Sequence, residues 1–153
     1  MLFGLCVLIG MRLAAGKKAR YEDLCAIMRE LRMFLDAIDA GQNSLALIAE
    51  RNQGIWFNML KTYLKARSEG QSETEAAETA TEAWSGTTEE KTAMQSFFNG
   101  LSSSSATALR QRVRTLNTLL EETSKEAAET AKQAKTIRIV SVLIGAGIGI
   151  LLL

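Results

Sequence analysis

The apolar positions of this chain are spaced for helices almost throughout. Between Lys18 and Ala40, Tyr21, Leu24, Ile27, Leu31, Phe34 and Ile38 follow one another at steps of three and four. Those steps trace one stripe on a helix, and Gly41 ends it. Gln42-Asn43-Ser44 opens a short helix through Glu50. After Gly54 come Ile55-Trp56-Phe57, then Met59, Leu60, Tyr63 and Leu64. This is the most aromatic stretch and the expected centre of the core. Glu69-Gly70-Gln71 is a turn. Ser72 with Glu75, and Thr87 with Glu90, then read as two capping boxes. In each, the hydroxyl accepts a free backbone N–H of the first turn and the glutamate reaches back to the cap. The first box opens a helix to Trp84, broken by Ser85-Gly86. The second opens a helix carrying Met94, Phe97 and Phe98, closed by Asn99-Gly100.

The final segment is the longest. Leu109, Val113, Leu116, Leu120, Thr123, Ala127, Thr130 and Ala134 alternate steps of four and three, which is the seam of a coiled coil. Ser102 to Ser105 precede it as a polar start, with one serine as the expected cap. The seam narrows from leucine to alanine and threonine, so a partner helix should come closest near its end. The first helix is the natural partner. The pattern predicts an all-α bundle of about six helices, in which a long antiparallel pair forms a stalk with four shorter helices at its far end. No alternation of period two is long enough for a sheet.

Each end of the chain is apolar. Met1 to Gly16 carries one charge, Arg12, and Lys17, Lys18 and Arg20 follow it. A cleavable signal wants its basic residues first, so a retained anchor fits better. Its helix would be about 24 Å long against a hydrocarbon core of roughly 30 Å. Ile137 to Leu153 is uncharged after Arg138 and spans about 25 Å as a helix, the lower limit for crossing. Lys132, Lys135 and Arg138 lie at its N-terminal side. Both basic flanks thus face the polypeptide between the anchors. The expected organisation is an anchor at 1–16, a cytoplasmic domain at 17–136 and a second anchor at 137–153. Gly145 and Gly149 form a G-x-x-x-G pair on which another membrane helix can pack.

Composition narrows the chemistry. There is no proline, which leaves helices uninterrupted, and no histidine, which removes the usual general base and the commonest metal ligand. The net charge of +1 argues against nucleic acid as a partner. Cys6 and Cys25 match no metal or redox spacing and read as small buried residues. No P-loop is present, and the glutamates lie on short polar helices without an apolar pocket to raise their pKa. No catalytic, metal or cofactor residues are therefore expected, and no small-molecule substrate. Charge is uneven instead. Glu69 to Glu90 holds seven acids and no basic residue, whereas Arg110, Arg112 and Arg114 cluster at the start of the last helix. Glu75, Glu78 and Glu82 on one side, and the three arginines on the other, are the candidate partner-docking charges.

The order of these features resembles the stage III sporulation protein AB family. An apolar anchor and basic step lead into a leucine-rich helix. Then come the short helix at Leu45 to Glu50, Glu82-Ala83-Trp84, the turn near Leu101, the long helix, and a glycine-bearing run closing Ile150-Leu151-Leu152-Leu153. The chain departs from the family pattern at Ser102 to Ser105, where a glycine and then an aspartate are usual, and it lacks an early proline. The resemblance implies a helical domain similar to the cytoplasmic domains of F-type platform proteins of type II secretion. It also implies a place in a secretion-like channel complex between mother cell and forespore, on the mother-cell side, with a cytoplasmic secretion-type ATPase as partner.

Two functions follow from these readings. One is a non-catalytic, membrane-anchored platform subunit that links the ATPase to the membrane machinery. The other is a membrane-anchored coiled-coil adaptor of signalling or fusion type. The fate of Leu109, Val113, Leu116 and Leu120 separates them: a platform buries that seam within its own bundle, whereas a zipper offers it to another chain.

Overall fold

The computed structural model describes the side chains of residues 16, 18–42, 44–102, 104–130 and 132–133, and the helical backbone alone of residues 2–15, 17, 131 and 134–151. There are six helices and no strand among the described residues. They are α1 (Leu2–Asp39), α2 (Leu45–Arg51), α3 (Ile55–Ser68), α4 (Glu73–Glu82), α5 (Thr88–Phe98) and α6 (Ala106–Leu151). The expected boundaries at 16/17 and 136/137 fall inside α1 and α6. Among the described residues no helix is long and apolar enough to cross a membrane. The expected anchors, 1–16 and 137–153, lie almost wholly outside them.

The chain divides into two compact units, Asp23–Glu122 and the pair of segments Met1–Glu22 with Thr123–Leu153. In the larger unit α2 packs on α3, α3 on α4 and α4 on α5. Its core is built around Trp56, which is fully buried. Phe34 of α1 lies 4.7 Å from the Trp56 ring, Phe57 at 5.2 Å and Phe97 of α5 at 6.1 Å. Phe98 stacks on Tyr63 at 5.1 Å, and the Tyr63 hydroxyl meets Ser102 Oγ at 3.2 Å. Each fully buried aromatic or leucine side chain contributes about 1.5–3 kcal/mol by leaving water. From α1, Leu24, Ile27, Leu31 and Phe34 are fully buried, as the stripe predicts, but Tyr21 is exposed and Ile38 half-buried. Leu64 and Cys25 are half-buried too, so neither belongs to the innermost layer.

Helix α4 is held by small residues. Ala76, Ala77, Ala80 and Thr81 make its buried face, which lets its backbone approach α3 and α5 closely. Thr81 Oγ1 accepts a hydrogen bond from Gln95 Nε2 at 2.9 Å, tying α4 to α5. Both predicted capping boxes are formed, Ser72 with Glu75 and Thr87 with Glu90. At the end of α1 the backbone N–H of Gly41 donates to Ile38 and that of Gln42 to Ala37, and Gly41 turns at φ +83°. That left-handed turn suits glycine, which has no Cβ to clash.

The start of α3 works differently. Gly54 offers no side chain, and the cap comes from Glu30 on α1. Its Oε2 accepts from the backbone N–H of Trp56 at 2.7 Å and of Phe57 at 3.4 Å, and its Oε1 from that of Ile55 at 3.3 Å. Glu30 is 8 % exposed, so three otherwise unpaired amides of α3 are satisfied by a buried carboxylate. A Cβ on Gly54 would fall on that carboxylate, and its φ of +141° is itself a conformation side chains avoid.

Helix α6 buries Leu109, Val113, Leu116 and Leu120 in the larger unit. Beyond them the expected heptad changes step. Ser124 and Ala127 are the buried residues, and Thr123, where the heptad put its next position, is half-buried. From 109 to 127 the buried positions advance by 4, 3, 4, 4 and 3 residues. Of the expected seam, Leu109, Val113, Leu116, Leu120 and Ala127 are buried, and the one position between them that differs is Ser124 in place of Thr123.

Candidate partner-docking surfaces

The acidic surface is assembled on α4. A capping box holds Glu75 at the first turn, where its Oε2 accepts from the Ser72 hydroxyl at 2.7 Å and the Ser72 backbone N–H at 2.9 Å. The hydroxyl first, and the amide second, hold its carboxyl below the usual carboxylate range. Glu78 and Glu82 follow along the helix, both exposed. They share a shallow groove of about 760 Å³ with Glu69, Gln71, Lys91 and Gln95. Lys91 closes one end of it, its Nζ donating to the Glu82 carbonyl at 3.2 Å. The candidate acids Glu75, Glu78 and Glu82 are thus brought onto one wall. One of them is engaged in holding its own helix.

The three arginines part company. Arg110 binds Asp39 at the end of α1, with Nη2 at 2.6 Å and Nε at 2.7 Å from Oδ1. Within the larger unit this joins the last turn of α1 to the first turns of α6, as antiparallel neighbours would. Both side chains are about half exposed (42 % and 54 %), so the pair is worth only about 0–1 kcal/mol. Arg112 lies against the backbone of Gly100, where any Cβ would collide with its guanidinium, and donates to the Ser96 carbonyl at 3.2 Å. Taken as whole residues, Arg110 and Arg112 are half-buried and Arg114 is exposed. Spacing at alternate positions sends these residues to different sides of a helix, which a charge count along the chain does not register.

A second groove, of about 340 Å³, runs between α5 and α6 and is lined by Phe97, Arg112, Leu116 and Leu119 among others. Ser102 is spent on Tyr63, Ser104 donates to the Gly100 carbonyl, and Ser105 Oγ caps α6 by accepting from the backbone N–H of Ala108 at 3.2 Å. Among the described residues no group of cysteine and carboxylate side chains is placed to hold a metal ion. Gly145 and Gly149 lie outside the described residues.

The residue that sequence reasoning missed is Glu30. A signal for it exists. It sits between Ile27 and Phe34 on an otherwise apolar stripe, and the aromatic helix that follows begins at Gly54 without a hydroxyl or carboxylate cap of its own.

The assembled features define a class: an all-helical protein with four short helices between two long terminal ones along the chain, and an acidic groove along α4. The chain belongs to the stage III sporulation protein AB family, which it matches over its whole length, residues 1–153, and it is therefore a sporulation-related protein. No curated protein and no solved structure matches it.

Proposed function

We propose that this chain is a non-catalytic, membrane-anchored platform subunit of a sporulation channel complex. Its domain, residues 17–136, binds a cytoplasmic secretion-type ATPase and holds it at the membrane machinery on the mother-cell side. The observation that supports this over a signalling or fusion zipper is the burial of the seam. Leu109, Val113, Leu116 and Leu120 are only 5, 0, 4 and 0 % exposed within the single chain. A zipper whose knobs are already covered has no strip to offer a partner, whereas a bundle that satisfies its own core presents charged faces instead.

Photo-crosslinking in sporulating cells tests the proposal, with the reactive residue placed at Glu78 or at Arg114 of the full chain. The expected result is a chain in the membrane fraction, crosslinked at one of these positions to the ATPase. A chain in the soluble fraction, or one crosslinked to a second copy from both sites alone, overturns it. Light scattering on residues 17–136 adds a check. A monomer fits the platform, and a stable dimer dissociated by Leu116→Asp moves the coiled-coil adaptor ahead.

A further inference from the structure

The net charge of +1 hides a sharp division along the chain. Residues 1–21 carry Arg12, Lys17, Lys18 and Arg20, and residues 130–153 carry Lys132, Lys135 and Arg138. Neither segment holds an acid, so together they bear +7. All 17 acids fall within 22–129, where the other 11 of the 18 basic residues leave a net of −6. Both basic segments belong to the smaller compact unit, Met1–Glu22 with Thr123–Leu153. Their distances from the expected anchors match. Tyr21 comes five residues after Gly16 and Lys132 five before Ile137, each about 7.5 Å along its helix. The headgroup layer is roughly 5–8 Å deep on each side of a bilayer, so both basic steps fall within it.

Tyr21 is a second, independent observation. It continues the stripe of Leu24, Ile27 and Leu31, yet it is 38 % exposed where they are fully buried. Positions 17 and 18 lie four and three residues before it, on the same side of α1. Lys18 and Lys132 are exposed as well. An open aromatic with a polar tip beside lysines is the mixture that settles at a membrane–water interface.

We infer that the two basic steps form a collar that binds anionic phospholipid headgroups. Each lysine or arginine close to an anionic bilayer strengthens binding about fivefold, and several act together. Their ammonium and guanidinium groups make charge-assisted hydrogen bonds to lipid phosphate, and a zwitterionic headgroup already carries its own cation. The same surface repels the stretch 22–129 through its net charge of −6, so anionic lipid draws in the ends alone. This inference rests on the reading of the two ends as membrane anchors and adds the class of lipid around them.

The test places the full chain, with 3-fluorotyrosine at Tyr21 and Tyr63, in phosphatidylcholine nanodiscs. Phosphatidylglycerol then replaces part of the lipid, and fluorine NMR follows both signals, with Tyr21→Phe to assign them. The expected result is a saturable shift of the Tyr21 signal while that of the buried Tyr63 stays. Lys17→Gln with Lys18→Gln, or Lys132→Gln with Lys135→Gln, should each raise the phosphatidylglycerol fraction at half-response about fivefold or more. Arg29→Gln with Arg32→Gln, an exposed pair further along α1, should leave it unchanged. Glycerol phosphate added to phosphatidylcholine discs should give no shift. A chain that enters the discs but shows no shift of Tyr21 overturns the inference and leaves the anchors standing. So does a shift that survives in both lysine pairs, or an equal one with free glycerol phosphate. A chain that does not enter the discs overturns the anchors and the inference together.

Discussion

Three short helices of the larger unit begin in two different ways. Helices α4 and α5 carry their caps with them, Ser72 with Glu75 and Thr87 with Glu90, each pair within one turn. Helix α3 brings nothing, and Glu30 arrives from α1, 26 residues away from Trp56 along the chain, to close it. A local cap stabilises its own helix wherever that helix goes. A remote cap exists only once α1 and α3 have packed, so it also specifies how they pack. The aromatic core lies directly behind the remote cap. Trp56 and Phe57, whose backbone amides Glu30 accepts, are the residues whose rings make the centre. Placement of the largest side chains and satisfaction of the helix end are therefore one event in this protein.

The contrast is open to attack at several points, each read by chemical denaturation of the full chain in detergent micelles with far-UV circular dichroism. Gly54→Ala should have the largest effect, a loss of about 2–4 kcal/mol, because it adds backbone strain and drives the Glu30 carboxylate off its three amides. Glu30→Gln should follow at about 2 kcal/mol, since a neutral amide accepts less strongly and turns an N–H toward donors. The two sites should not be additive. In a Glu30→Ala background Gly54→Ala should cost at least about 1 kcal/mol less than in the natural chain, and simple additivity would mean that the cap does not couple the helices.

The local caps should be milder. Thr87→Ala is expected to cost about 1–1.5 kcal/mol, because its partner Glu90 is fully buried. Ser72→Ala, at an exposed helix start, should cost about 0.5–1 kcal/mol. A local cap as costly to lose as Glu30 would erase the distinction drawn above. The smallest effect is a pH dependence. Glu75 has a folded pKa below its ordinary value of 4.5, so it supports the fold fully above that value and loses its contribution as pH falls below it through the folded pKa. Carboxyl NMR of Glu75 between neutral pH and pH 3 should show a depressed midpoint that returns toward the ordinary range in Ser72→Ala.

Much of the fold was legible because much of it is local. The capping boxes, the glycine that ends α1, and the three-and-four spacing of Leu24, Ile27, Leu31 and Phe34 are all written within a few residues of where they act. The family was legible from the order of those elements. The candidate docking residues were less so. Arg110, Arg112 and Arg114 form one cluster along the chain, yet the fold engages the first with Asp39 and the second with Ser96 and leaves the third exposed. Likewise the step of four or three after Leu120 was ambiguous between Thr123 and Ser124, two small polar residues that hydropathy does not separate.

What the residues determined by themselves is the all-helical class, the capped starts of α4 and α5, the glycine stop of α1, and the apolar stripe of α1 that faces the core. These follow from propensity, capping and periodicity, forces that reach no further than a turn or two. Only the tertiary structure decided that Glu30 is a cap and not a surface charge, and that Leu109, Val113, Leu116 and Leu120 are covered from within. Each depends on which residues distant in sequence share a neighbourhood, and a buried carboxylate or a covered leucine is defined by its neighbours alone.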